Sequence, residues 1–246
     1  MYQKNGLIVA GIMVIFNVSA AHADANADLQ RGIRQLQHNH FREAIECFNR
    51  AVAQNPRLDY AYGLRGQAYL ELEKRQPAMR DINHAITLNS HNWTYWENRS
   101  RLKFELNDLD GAIADATRAL QIDPKQDGIY RLRSKYYILK KDNVKALADL
   151  TKAIEFQDSH EISSYRNRAD LYFNTKKYEL AVKDYTTSIS LTGTKQKDDR
   201  SLEHDYSARA NAYEKLGKKQ LAAADRKKVQ AIVKDGWGAF LYDADK

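Results

Sequence analysis

Apolar and small residues recur along this chain at the spacing of one helix face. Tyr62, Gly66 and Tyr69 stand at i, i+4 and i+7, and Tyr206, Ala210 and Tyr213 do the same. Ala112, Ala116 and Ala119 form a matching stripe on a second segment. The pattern predicts pairs of amphipathic helices that meet through small residues, as with Gly66 facing Ala78. Short turns separate the members of a pair, for example Leu106-Asn107-Asp108-Leu109 and Lys215-Leu216-Gly217-Lys218. Pairs end at Asn55-Pro56 and Asp123-Pro124, where proline cannot continue a helix. Pro77 fits the first turn of its helix, where a missing N–H costs nothing.

The pairs repeat. Arg31, Arg65, Arg99, Arg133, Arg168 and Arg209 are separated by 34, 34, 34, 35 and 41 residues. The same intervals separate Ala44, Ala78, Ala112, Ala146, Ala181 and Ala222, and again Ala51, Ala85, Ala119, Ala153, Ser188 and Val229. Aspartates follow at 81, 115, 149, 184 and 225, with Cys47 in the first position. Independent columns sharing one irregular set of intervals define a six-fold repeat. A single helix pair cannot bury its own apolar stripe, so each repeat depends on its neighbours.

The third repeat, Trp96, Ser100, Leu109, Ala112, Ala116, Ala119 and Asp123-Pro124, resembles the tetratricopeptide (TPR) family. The resemblance covers about residues 25–236 and implies an all-α fold, a right-handed solenoid of about six helix-turn-helix repeats. These fall near 25–58, 59–92, 93–126, 127–161, 162–195 and 203–236, with 237–246 as a C-terminal cap segment folding back over the last repeat. The end repeats depart from the pattern: Gln35 replaces an aromatic, Tyr185 and Ser188 stand in the fifth, and Arg226 and Val229 in the sixth. The polar stretch 193–199 between the last two repeats reads as a longer loop.

Residues 1–23 are of a different kind. Lys4 precedes an uncharged apolar run, Leu7–Ala20, and Ala21-His22-Ala23 follows, the three parts of a secretory signal peptide. The run is short for a spanning helix, which needs about 20 apolar residues. Cleavage would leave a chain starting at Asp24 in the periplasm or outside the cell; an uncleaved membrane anchor is the alternative. The formal net charge of +7 loses only Lys4 with that segment. This mild excess is far from that of a nucleic-acid binder, so no nucleic acid is expected. Cys47 is the only cysteine, which excludes an internal disulfide.

No sequence feature points to an enzyme. His38 and His40 are two apart and face different sides, the remaining histidines are scattered, and no phosphate loop or nucleophile elbow occurs. No metal and no cofactor are expected. The Arg and Asp columns read as a brace rather than a ligand ladder. A brace within each repeat leaves Arg31 unpaired; one to the following repeat leaves Arg65 and Asp225 unpaired. The first is preferred, because antiparallel helices bring those positions to similar height.

The TPR resemblance places the partner-binding groove on the first helices, at Glu97, Arg101, Arg131, Lys135, Arg166 and Asp170, with Gly63, Gln67, Ser207 and Asn211 towards the ends. Its basic centre suggests an acidic protein or peptide segment as partner. The family's clamp for a peptide's terminal carboxylate is incomplete here: Gly63, Gln67, Gly128 and Leu132 flank Asn98 where the clamp needs other side chains. The expected function is therefore an exported scaffold for protein–protein interaction. A structural module of an envelope or secretion complex, and a binder of an anionic envelope polymer, are the alternatives. No stable membrane insertion is expected after signal cleavage, and self-association through the end repeats stays open.

Overall fold

The computed structural model describes the backbone of residues 24–156, 162–192 and 199–243, and side chains through 24–156, 162–192 and 201–234. Residues 1–23, where a signal peptide is expected, and nearly all of the expected 193–199 loop lie outside the described residues. The described backbone is helical throughout: α1 (24–37), α2 (Phe41–Gln54), α3 (Asp59–Glu71), α4 (Arg75–Leu88), α5 (Trp93–Glu105), α6 (Leu109–Ile122), α7 (Asp127–Leu139), α8 (Asn143–Phe156), α9 (Ser163–Asn174), α10 (Tyr178–Thr192), α11 (Asp199–Lys215) and α12 (Lys219–Asp243). These form two compact units, Met1–Pro124 and Lys125–Lys246, each holding three helix pairs. The fold class is an all-α helical repeat.

Within every pair the first helix ends in the same turn. The residue after the last turn takes a left-handed conformation, at Asn39, Glu73, Asn107, Lys141, Lys176 and Gly217, with φ between 56° and 71°. The next amide then donates five residues back, from His40 to the Gln35 carbonyl at 2.9 Å and from Lys218 to the Tyr213 carbonyl at 2.9 Å. Reversing the chain this way satisfies carbonyls a helix end would leave open. Among the described residues, helix starts with side-chain caps include Asn92, which accepts from the Thr94 amide at 3.1 Å, Asp108 from the Gly111 amide at 2.9 Å, and Asp142 from the Lys145 amide at 3.1 Å.

Packing rests on the small columns. Ala44, Ala78, Ala112, Ala146, Ala181 and Ala222 are all buried, as are Ala51, Ala85, Ala119, Ala153 and Ser188. Gly66 lies against Ile82 and the Ala78 carbonyl, with no room for a larger side chain. Where the third repeat puts Ser100 instead, its hydroxyl is buried but donates to the Ala112 carbonyl at 2.8 Å. The C-terminal backbone differs from the expected fold-back. Residues 235–243 continue α12, a single helix of 25 residues, since Gly236 and Gly238 weaken a helix by only about 1 kcal/mol each without breaking it.

Candidate functional site

The arginine column is consumed by the fold. Arg65, Arg99, Arg133, Arg168 and Arg209 each make a bidentate pair with the aspartate sixteen residues on, at 2.6–2.9 Å. This is the within-repeat brace. The third nitrogen does something the spacing did not predict, reaching back to the second helix of the preceding repeat. Arg65 and Arg99 donate from Nη1 to Asn49 and Asn83 at 2.8 Å, and Arg209 donates to Thr186 at 2.9 Å. Aromatic rings flank the same guanidiniums, Trp96 under Arg99 and Tyr206 and Tyr213 about Arg209. The hydrogen bonds that Arg65 donates to the Asp81 carboxylate raise its proton affinity above the ordinary value, so the charge is locked in. Arg65, Arg99 and Arg209 thus each tie three helices together and offer little to a ligand.

The first repeat inverts this arrangement, correcting the expectation that Arg31 stands unpaired. Arg31 meets Asp28 of its own helix at 3.4 Å, and Arg50 and Gln54 reach Asp28 from α2, each at 3.1 Å. The buried acid is here on the first helix and its main cation on the second. Cys47, buried in the column where the other repeats hold aspartate, accepts a contact from Arg50 at 3.2 Å.

Two hollows open on the first helices, one in each unit. In the first unit α3 and α5 enclose about 620 Å³, lined among others by Gly63, Gln67, Glu71, Glu97, Asn98 and Arg101. Gly63 is obligatory, because a Cβ there would run into the ring of Tyr95 from the next repeat. That tyrosine is buried and donates to Asp59 at 2.9 Å; burial first, and then this hydrogen bond, hold its pKa above the ordinary value. Glu97 and Arg101 pair with each other at 2.7 Å along α5. With Glu71 and Glu105 on the rim, this hollow is acidic on balance.

In the second unit α7 and α9 enclose about 390 Å³. Arg131, Lys135, Asn167, Asp170 and Asn174 supply its polar lining, Leu171 its floor, and the exposed Ile138 and Leu139 one rim. Arg131 is 3.1 Å from Asp127, and Asp170 accepts from Tyr185 of α10 at 2.5 Å. Of the six expected groove residues, Glu97 and Arg101 therefore line one hollow and Arg131, Lys135 and Asp170 the other.

Arg166 is placed elsewhere. It makes a bidentate pair with Asp205 of α11, at 2.5 and 2.9 Å, and Ser188 of α10 donates to the same carboxylate at 2.5 Å. Asp205 has no exposed surface. The sequence held two signals for this junction. Asp205 stands in the column occupied by Ala61, Tyr95, Ile129 and Ser164, and Ser188 replaces the alanine of four other repeats. A carboxylate in a column that packs against the preceding repeat must find a cation. Among the described residues, no group of three or more His, Cys, Asp or Glu side chains is placed to hold a metal ion.

Profiles described as "Tetratricopeptide repeat" match residues 29–81, 64–127 and 162–194, across both units. The chain belongs to the tetratricopeptide repeat family. A curated TPR relative, the TPR repeat-containing thioredoxin TDX of Arabidopsis thaliana, is 30% identical over 80 residues, 32% of this chain. The chain spans only 21% of that protein's length. Solved structures with the same fold include the C-terminal part of a TPR repeat-containing protein from Cytophaga hutchinsonii, with TM-score 0.73 and 21% identity over 85% of this chain and 80% of that one. Pseudomonas aeruginosa PilF aligns with TM-score 0.71 and 16% identity over 92% of this chain and all of PilF. At such identities the likeness is one of fold.

Proposed function

We propose that this TPR chain is an interaction scaffold that holds an extended peptide segment of a partner protein against its first helices. The observation that carries the reading is the second hollow, where a basic side chain, two carboxamides and an apolar rim converge. Asn167 and Asn174 can exchange hydrogen bonds with a peptide backbone, Ile138 and Leu139 can cover an apolar side chain, and Lys135 can meet a carboxylate. The favoured ligand is a segment alternating apolar and acidic residues. The acidic hollow of the first unit suits a different stretch, one bearing lysine or arginine.

The reading is tested by photo-crosslinking in the native cell from position 135, with position 152 on the outer helix α8 as control. A discrete protein adduct from 135 alone supports it. Adducts from 152 instead, or from neither, sink it, as does unchanged partner binding after Arg131→Glu with Lys135→Glu. Export belongs to the same proposal and rests on the charge and hydropathy pattern of residues 1–23. Amino-terminal sequencing of protein from the cell envelope should then begin at Asp24.

A further inference from the structure

We infer that the edge of the second unit formed by its three intra-pair turns is a docking surface for an anionic lipid bilayer. The turns follow α7, α9 and α11, and the braces fix their alignment. Arg133, Arg168 and Arg209 each pair with the same position of the following helix, so the three first helices run in one direction and their turns share one edge. That edge carries Lys140 and Lys141, Lys176 and Lys177, and Lys218 and Lys219, all exposed. Against them stand Glu179 and Asp142, the latter paired with Lys145 at 2.9 Å. Lys141 and Lys176 occupy the left-handed turn position that Asn39, Asn107 and Gly217 fill elsewhere. A lysine there costs of order 1 kcal/mol relative to glycine and sets an ammonium group at the turn.

Apolar side chains stand among these lysines. Val144, Leu180 and Leu221, all in the first turns of α8, α10 and α12, are 80%, 44% and 48% exposed. The corresponding turns of the first unit mix both signs: Glu73, Asp108 and Asp110 stand with the exposed Lys74 and Arg75, Arg75 pairs with Glu105 at 3.0 Å, and Leu106 is their exposed apolar residue. A line of lysines interspersed with exposed aliphatic groups matches a bilayer interface, where ammonium groups meet phosphates and aliphatic groups enter the headgroup–acyl boundary. An anionic polysaccharide would satisfy the lysines but leave Val144 in water. The surface adjoins the rim of the peptide hollow at Ile138 and Leu139 but uses other side chains, and it needs no spanning helix; among the described residues none is long and apolar enough to cross a membrane.

The test uses the full chain with Cys47→Ser and Val144→Cys, labelled at 144 with an environment-sensitive fluorophore. The comparison label goes at Asp110→Cys, the matching position of the third repeat. Vesicles of phosphatidylglycerol with phosphatidylcholine should blue-shift the label at 144, less so at high salt, and leave the label at 110 unmoved. Lys141→Gln, Lys176→Gln and Lys218→Gln together should weaken partitioning by about fivefold per lysine, with helix content unchanged by circular dichroism. Should that variant lose helix content, Leu180→Gln with Leu221→Gln, which removes only exposed apolar groups, is read in the same way. No shift at 144, or an equal shift at 110 or on pure phosphatidylcholine, overturns the inference; the latter assigns any binding to the apolar segment 7–20. Binding of soluble dextran sulfate to the edge with no lipid-dependent shift at 144 overturns it in favour of an anionic polymer.

Discussion

Removing Arg166 should unsettle the fold more than removing the acid it holds. Asp205 has no exposed surface, whereas the Arg166 side chain is 21% exposed. With Arg166→Met, a carboxylate stays enclosed with, among the described residues, Ser188 and a 3.3 Å contact from His204 to satisfy it. Leaving one member of a buried pair uncompensated costs about 3–5 kcal/mol. With Asp205→Ala the stranded guanidinium can still reach water, and the cost falls to about 1–3 kcal/mol, that of lost charge-assisted hydrogen bonds. Replacing the whole cluster, with Arg166→Met, Ser188→Ala and Asp205→Ile, restores the apolar packing that Ala153 and Ile129 provide elsewhere. It should bring stability back to within about 1 kcal/mol of the parent. Urea unfolding followed by circular dichroism measures each variant, and the cycle of single and combined changes gives the coupling. Amide exchange on α9 and α11 locates the loss, because repeat arrays can open in parts. A cost below about 1 kcal/mol for Arg166→Met, or no difference between the two single changes, would refute the assignment of Asp205 as a buried ionised partner.

Other sites give independent outcomes. Gly63→Ala should destabilise by about 1–3 kcal/mol through collision with Tyr95. Gly128→Ala, whose Cβ would meet only Arg131 at 3.7 Å, should instead gain a few tenths to about 1 kcal/mol in chemical denaturation. Ser164 is buried and its hydroxyl has no hydrogen-bond partner among the described residues, so Ser164→Ala should raise the unfolding free energy by about 1 kcal/mol. Burial first, and then the hydrogen bond to Asp170, raise the pKa of Tyr185. The folded chain therefore keeps a proton that the unfolded chain releases from about pH 10 upward. Stability is unaffected below that pH and falls above it, by up to about 1.4 kcal/mol per pH unit. Tyr185→Phe should flatten that alkaline slope in denaturation curves taken across the range.

What the sequence determined by itself was everything periodic. Helix faces and turns repeat six times and the Arg–Asp brace five times at intervals of about 34 residues, and each depends on contacts inside one helix pair, so the copies reinforce one another. Glu97, Arg101, Arg131, Lys135 and Asp170 recur at fixed places on first helices, so their sharing a face was legible for the same reason, and they line the two hollows. What only the tertiary structure decided was what each side chain meets from a neighbouring repeat. Arg166 and Arg131 occupy the same column, yet one is drawn to Asp205, 39 residues away, while the other stays beside the hollow with Asp127. The third nitrogen of Arg65, Arg99 and Arg209 and the ring of Tyr95 over Gly63 are likewise contacts between neighbouring repeats. Sequence spacing reports which face of a helix a residue occupies. Which cation or acid comes to rest against that face depends on how the next repeat packs, and this is set by the summed shape of many buried side chains.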